Sequence, residues 1–362
     1  MIIYILATFI VSAVCGFVFT PLILDFCQKR NLYDIPNGRK VHKNATPRMG
    51  GVSFFPSMLT ASLLVLLFYP GIEGRNLTLN IWTVSFLMGL IIIYALGIID
   101  DLVGLNALTK FTVQILGGCL FPLCGLYINN LYGLFGIYEI PSFVGIPLTV
   151  FMIVFVSNAI NLIDGIDGLA GSISLITLTG FLVYFIHYRV FFPTYTILVA
   201  GLIGALVAFL YFNLFGKLEK NTKIFMGDSG SLSLGFFLGF LFIKCASDNS
   251  VIWQTRQEAL LVPITLLFVP MADVVRVTIY RFLHHKPLFL ADKNHIHHKL
   301  LKAGLTQHQA LACIIGMVVF FMILNYLLYA VLSTTWILAA DILCYSLFNW
   351  IIDTRIQNHK LS

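Results

Sequence analysis

Apolar residues along this chain gather into eleven long runs separated by short polar joints. The runs fall approximately at 2–22, 51–69, 81–99, 111–128, 147–163, 168–188, 194–213, 231–247, 259–280, 310–330 and 336–352. A helix needs about 20 apolar residues to cross the hydrocarbon core of a bilayer, and most of the runs are close to that length. The pattern predicts an all-α polytopic integral membrane protein with about eleven transmembrane helices. Runs of this length, rather than short alternating segments, exclude a transmembrane β-barrel. Composition agrees, since 59% of the 362 residues are hydrophobic and only 10% are charged, against roughly 25% charged in a soluble domain. A soluble enzyme, a disulfide scaffold and a disordered chain are excluded. The seven cysteines lie mostly inside apolar runs and form no C-x-x-C pair, so they read as small packing residues. No basic residue precedes the first run, Lys29 and Arg30 being the earliest, which is unlike a cleaved secretory signal. That run reads as a retained first span of a single membrane-embedded domain, residues 1–362.

Basic residues are divided unequally between the joints. The odd-numbered joints hold seventeen Lys and Arg, the even-numbered ones only Arg75, Arg189 and Arg256, and Lys244 and Arg276 fall inside runs. The positive-inside rule puts the seventeen in the cytoplasm, with the amino terminus outside and the carboxyl terminus inside the inner (plasma) membrane. The acids Asp100, Asp101, Asp164, Asp167 and Asp228 then share the cytoplasmic face with His42, His284, His285, His295, His297, His298 and His308. A transporter site is expected nearer the midplane, at broken helices. A one-sided set fits an active site at the cytoplasmic face.

Four segments carry the chemistry. Asp100 and Asp101 close a run that ends on the cytoplasmic side, where the helix dipole disfavours negative charge. The nearest basic residue in sequence is Lys110, so the pair is expected to need a divalent cation or a basic substrate group, unless it is a solvated stop at the interface. In Asn158-Ala-Ile-Asn161-Leu-Ile-Asp164-Gly-Ile-Asp167-Gly-Leu-Ala-Gly171 a polar residue recurs every third position, which on a helix makes a curved polar strip. Four polar residues at membrane depth are costly and point to function. The third segment joins Asn213 to Lys223-Ile-Phe225-Met-Gly227-Asp228-Ser229-Gly-Ser231. Asp228 and Ser229 either cap the helix that begins near 231 or help its amino end to receive phosphate. The fourth is His295-Ile-His297-His298, preceded by Arg281, Lys286 and Lys293. Its spacing is not that of a zinc site; it suits a basic loop that receives phosphate oxygens, or one held against anionic lipid headgroups.

Acids gathered at one membrane face suit Mg²⁺, basic loops suit a diphosphate, and an apolar body suits a substrate that lives in the bilayer. Phosphoryl transfer needs charge neutralisation and positioning more than covalent chemistry from the protein. The residues therefore favour transfer of a phosphate-bearing group from a soluble nucleotide donor to a lipid. A transporter or flippase of a phosphorylated lipid, and a silent scaffold of an envelope-glycan complex, remain alternatives.

In combination, His42-Lys43-Asn-Ala-Thr46-Pro47-Arg-Met-Gly50-Gly51, Asp100-Asp101, the Asn158–Gly168 segment, Phe225-Met-Gly227-Asp228-Ser-Gly and His295-Ile-His297-His298 resemble the polyprenyl-phosphate N-acetylhexosamine-1-phosphate transferases. These form the WecA/TagO branch of the group that also contains MraY. The resemblance implies Mg²⁺ (or Mn²⁺), undecaprenyl phosphate as acceptor and a UDP-N-acetylhexosamine as donor, UDP-GlcNAc foremost. It implies release of UMP in the first lipid-linked step of cell-envelope glycan synthesis. A phospho-MurNAc-pentapeptide transferase is the alternative within the group; its three consecutive histidines are lacking here. By resemblance, Asp228 binds metal, Asp100 and Asp101 bind metal or activate the lipid phosphate, and Asp100, Asp101, Asp164, Asp167 and His295 are catalytic. Lys43, Asn158, Asn161, Asn213, Phe225, Gly227, Arg281, Lys293, His297 and His298 bind substrate. Relatives often carry a further acid after the aspartate pair, and Leu102 to Asn106 contains none. The expected partners are these two substrates and the bilayer, with room for a homodimer and none for nucleic acid.

Overall fold

The computed structural model describes residues 2–35, 44–68, 80–187, 193–247, 258–287 and 293–361. A helix covers most of each of the eleven apolar runs: α1 (Ile2–Lys29), α2 (Phe54–Phe68), α3 (Ile81–Val103), α4 (Ala107–Leu123), α5 (Ser142–Ile163), α6 (Leu169–His187), α7 (Pro193–Phe215), α8 (Gly227–Ala246), α9 (Glu258–Leu283), α11 (Gln307–Leu328) and α12 (Thr334–Leu361). Ten are long and apolar enough to span a membrane, Phe54–Phe68 together with the turn before it, and α4 is a shorter apolar helix. The chain is a multi-pass membrane protein. Between α9 and α11 lies one short helix, α10 (Ile296–Lys302). Among the described residues there are also two small antiparallel pairs, β1 (Tyr33–Asp34) with β2 (Thr46–Pro47) and β3 (Asn130–Leu134) with β4 (Ile137–Glu139).

The bundle is built around α8, whose side chains from Ser229 to Ala246 are all buried. Its apolar side interlocks with α3 and α4 through rings: Phe86 stacks on Phe240 with centroids 4.2 Å apart, and Phe121 lies 5.4 Å from Phe240. Its small residues meet α5, where the Ser157 hydroxyl donates to the Leu232 carbonyl at 2.9 Å. Helices at the rim behave differently. In α1 the residues Ile2, Ile3, Leu6, Ile10, Val14 and Val18 are exposed, as a lipid-facing stripe requires. A protein whose centre and rim are both apolar is a bilayer protein, because lipid tails leave nothing to gain from hiding leucine.

Several helices outrun their apolar runs. The run 336–352 belongs to a helix that continues to Leu361, and the run 2–22 to one that reaches Lys29. Backbone hydrogen bonding carries a helix past the last apolar residue when polar side chains can meet water or headgroups. The carboxyl ends of α3, α5 and α7 and the amino ends of α6 and α8 gather at one end of the bundle, as the hydrogen bonds between them show.

Candidate active site

The acidic half of the site begins with a helical hairpin. Asp100 and Asp101 occupy the last turn of α3, a turn follows, and Asn106 caps α4 by accepting the Thr109 N–H at 2.8 Å. This reversal brings Lys110 back beside the acids. Its ammonium lies 2.9 Å from Asp100 and 2.9 Å from Asp228. The expectation that these acids lack a basic partner is thereby corrected: ten residues of sequence fold back to a hydrogen bond.

Asp101 does something else. Its two oxygens accept the backbone N–H groups of Asp228 at 2.9 Å and Ser229 at 3.0 Å. It caps α8 from another helix, so neither Asp228 nor Ser229 is the cap, and the helix starts at Gly227 rather than near 231. The arrangement also eases an electrostatic problem. Acids at the negative end of α3 lie on the positive end of α8, where the dipole favours them. Gly227 makes this approach possible: its φ is +75°, and a Cβ there would stand 2.6 Å from an Asp101 oxygen. With the cap supplied by Asp101, the Asp228 carboxylate is left to accept from Asn161 Nδ2 at 2.8 Å.

The middle segment is not one helix. α5 ends at Ile163, Asp164 follows it, and Asp167 lies in the turn before α6. The curved polar strip is therefore limited to Asn158 and Asn161, and the two acids project from the connection. Asn213 holds that connection, accepting the Gly168 N–H at 2.6 Å and donating to the Ile224 carbonyl at 2.8 Å. Asp167 pairs with Lys223 at 2.8 Å, and the same ammonium meets the Asn213 carbonyl. Asn158 is engaged elsewhere, on Gln114 Oε1 at 2.5 Å and the Val154 carbonyl at 2.7 Å. The Asp164 carboxyl makes no hydrogen bond among the described residues. Burial, then the charges of Asp228, Asp167 and Asp101, push it up to about 8, so it holds a proton at neutral pH.

The histidine half packs on this connection. A Cβ on Gly165 would stand 2.0 Å from His297 Nε2, so only glycine lets the loop seat there. Burial and the neighbouring His298 and His295 pull His297 down to about 3, leaving it neutral. His295 meets Asp273 of α9, Nδ1 to Oδ2, at 2.8 Å. Arg281 is buried at the end of α9, Lys293 is exposed, and the Lys293 carbonyl accepts from Lys302 at 2.8 Å. Phe225 contributes its backbone: its N–H donates to Pro47 and its carbonyl accepts from Gly50, both at 2.8 Å. Lys43 and His42 lie outside the described residues.

Lys110, Lys223 and Asp273 were not among the site residues expected from sequence. Asp273 had a signal, an acid three residues before Arg276 within an apolar run; intramembrane charge of this kind marks function by default. Beside it, an apolar cavity of about 570 Å³ is lined by Met152, Phe155, Ile264, Phe268 and Tyr345, with Arg276 as its charged residue.

Among the described residues, no three His, Cys, Asp or Glu side chains are grouped as a ready metal cage. A hard dication fits nonetheless at Asp100 and Asp228. Mg²⁺ commonly takes one or two carboxylates and completes its shell with phosphate oxygens and water. The Lys110 ammonium already shows that these two carboxylates share one cation.

Residues 83–246 match the model of glycosyl transferase family 4. A probable undecaprenyl-phosphate N-acetylglucosaminyl 1-phosphate transferase of Bacillus subtilis is 30% identical over 86% of this chain and 81% of that protein. The chain belongs to glycosyl transferase family 4. Another relative is the decaprenyl-phosphate N-acetylglucosaminephosphotransferase of Mycobacterium leprae, 31% identical over 85% of this chain and 80% of that one. The undecaprenyl-phosphate alpha-N-acetylglucosaminyl 1-phosphate transferase of Escherichia coli K12 is 26% identical over 82% and 78%. The stretch matched to the family 4 model spans the acidic half of the site, from Asp100 to Asp228. Asp273 and the histidine loop lie beyond it.

Proposed function

We propose that this family 4 protein transfers N-acetylhexosamine 1-phosphate, GlcNAc 1-phosphate foremost, from a UDP-sugar to undecaprenyl phosphate. One observation carries the reading: Asp100 and Asp228, from different helices, converge on a single cation at the polar end of a membrane bundle. The relatives' names supply a polyprenyl-phosphate acceptor and an N-acetylglucosamine 1-phosphate group; the UDP carrier is part of the proposal. The apolar cavity beside Arg276 supports a prenyl-bearing acceptor, and the seventeen-to-three division of basic residues supports a cytoplasmic site in the plasma membrane.

In the net reaction, an oxygen of the lipid phosphate becomes bonded to the phosphorus that bears the sugar. A new P–O bond forms, the P–O–P bond to uridine monophosphate breaks, and UMP leaves. Asp100 and Asp228 would hold Mg²⁺ or Mn²⁺, which when bound neutralises charge on the diphosphate. Asn161 fixes the Asp228 carboxylate, and Asp101 fixes the α8 terminus that bears it. Asp164, uncharged until a cation draws near, adds no further repulsion to the incoming phosphates. Lys223 and Asn213 brace the connection on which the donor sits, while Arg281, Lys293 and the histidines face its sugar and phosphates.

The test is direct. Purified protein with undecaprenyl phosphate, Mg²⁺ and a panel of UDP-sugars should release UMP with UDP-GlcNAc. Chelator should stop release, and Mg²⁺ or Mn²⁺ should restore it. Turnover with UDP-MurNAc-pentapeptide alone would move the protein to the other branch, and no UMP from any donor would overturn the reading.

A further inference from the structure

The Asp273 carboxylate is 1% exposed and is hydrogen-bonded on both oxygens. Oδ1 accepts from the Ile296 N–H at 3.0 Å, the Arg276 guanidinium at 2.8 Å and the Tyr345 hydroxyl at 3.2 Å. A backbone N–H and a guanidinium can only donate, so Oδ1 cannot carry a proton towards them. Arg276 would also lose its buried counter-charge if Asp273 were neutral, a costly state for a cation at this depth. The carboxylate is ionised, and its Oδ2, 2.8 Å from His295 Nδ1, must accept as well. The proton of that bond therefore belongs to His295 Nδ1, and Nε2 is the nitrogen left over.

The surrounding elements hold this arrangement. His295 is 5% exposed and immediately precedes α10. Its ring lies parallel to that of His297, 6.0 Å away, and His297 abuts the Asp164–Asp167 connection. On α12 the residues Tyr345, Asn349 and Asp353 recur every fourth position, hence on one face. Tyr345 reaches Asp273, while Asn349 and Asp353 bond the Lys299 ammonium of α10 at 3.2 and 2.8 Å. The last helix thus grips both the acid behind His295 and the short helix that follows it.

We propose that Asp273 is a positioning residue that holds His295 with its proton on Nδ1 and leaves Nε2 to meet the substrate, with Tyr345 of α12 bracing the pair. The consequence for turnover rests on the transferase reading; the tautomer does not. An aspartate behind a histidine sets which ring nitrogen does the work.

Two experiments separate the parts. Nitrogen-15 spectra of histidine-labelled full-length protein at pH 9, with His295→Gln to assign the signal, should show a protonated Nδ1 and a bare Nε2. Asp273→Asn should exchange the two. A bare Nδ1 in the wild-type protein would overturn the proposal, and this readout needs no turnover, so it stands even if no UDP-sugar is a substrate. In the assay, Asp273→Asn should lower kcat by at least about tenfold with KM for the UDP-sugar within about threefold. In the His295→Gln background the same change should cost less than about twofold, because a residue that acts through His295 has nothing left to position. Equal losses in both backgrounds would reduce Asp273 to a packing element. Should Asp273→Asn fail to fold, Tyr345→Phe replaces it in the cycle: a loss of a few-fold that vanishes without His295 supports the proposal, and one that persists overturns it.

Discussion

Both halves of the site place carboxylates at the same end of the bundle, yet they pair them to different degrees. In the histidine half Asp273 is saturated, with three donors on one oxygen and a histidine on the other. In the acidic half Asp100 takes only the Leu105 N–H and the Lys110 ammonium, Asp228 only Asn161 and the same ammonium, and the Asp164 carboxyl has no hydrogen bond among the described residues. Fully paired carboxylates hold neighbours still, whereas under-paired ones keep lone pairs for something that arrives. On the proposed reading, the difference would separate residues that shape the site from residues that receive a ligand.

The largest expected effect lies on the receiving side. Asp228→Asn and Asp100→Asn should each lower turnover by roughly 10²–10³-fold, as loss of a charge-stabilising group does elsewhere, with the unfolding temperature little changed. Full UMP release by Asp228→Asn would erase the contrast. Asp101→Asn should instead lower the unfolding temperature together with turnover, because it weakens a cap worth about 0.5–2 kcal/mol; lost turnover at unchanged stability would make it a ligand. Next comes Lys110→Met, which leaves two facing acids without their cation. Its unfolding temperature should depend on Mg²⁺ more steeply than that of the wild type, and an equal dependence would show that lysine and metal do not share the pair.

A smaller effect concerns pH. His297 is buried neutral with its folded value near 3, below the ordinary 6.5 of the unfolded chain, so its contribution is complete above about pH 6.5 and is lost as pH falls towards 3. The loss amounts to about 2 kcal/mol by pH 5. Thermal unfolding followed from pH 7 to pH 5 should therefore fall more steeply for the wild type than for His297→Gln, and parallel curves would remove His297 from the account. The smallest effect belongs to Asn158, tied to Gln114 away from the acids. Asn158→Ala should change turnover by less than about threefold, and Asn161→Ala by more; the reverse order would place Asn158 at the substrate.

Helices were legible in the sequence because a bilayer imposes one length on every crossing. Their ends were not, since α12 continues on polar residues that no longer read as a span. The break after Ile163 was hidden by a spacing of three, which a continuing helix would also produce. Asp100, Asp101, Asp164, Asp167 and Asp228 could be placed at one end from charge and run length alone. Their division of labour depended on how α3 meets the start of α8, a contact between residues 127 positions apart that no local pattern encodes. Lys110 was visible as the nearest base but needed the α3–α4 turn to become a partner. Asp273 stood out as an acid inside an apolar run, but no local pattern tied it to His295, 22 positions away.

That contact between α3 and α8 also sets a schedule for synthesis. Asp101 leaves the ribosome 127 residues ahead of the N–H groups it caps, which at about 5–20 residues per second is a wait of roughly 6–25 s. Lys110 of α4 can meet Asp100 after only ten residues, but throughout that interval Asp101 has no α8 terminus to cap. Mispairing of Asp101 with another early partner would keep α8 from docking. Docking of α8 therefore waits on residues made late, and nascent chains halted before Gly227 should expose that face of α3 to proteases that finished protein escapes.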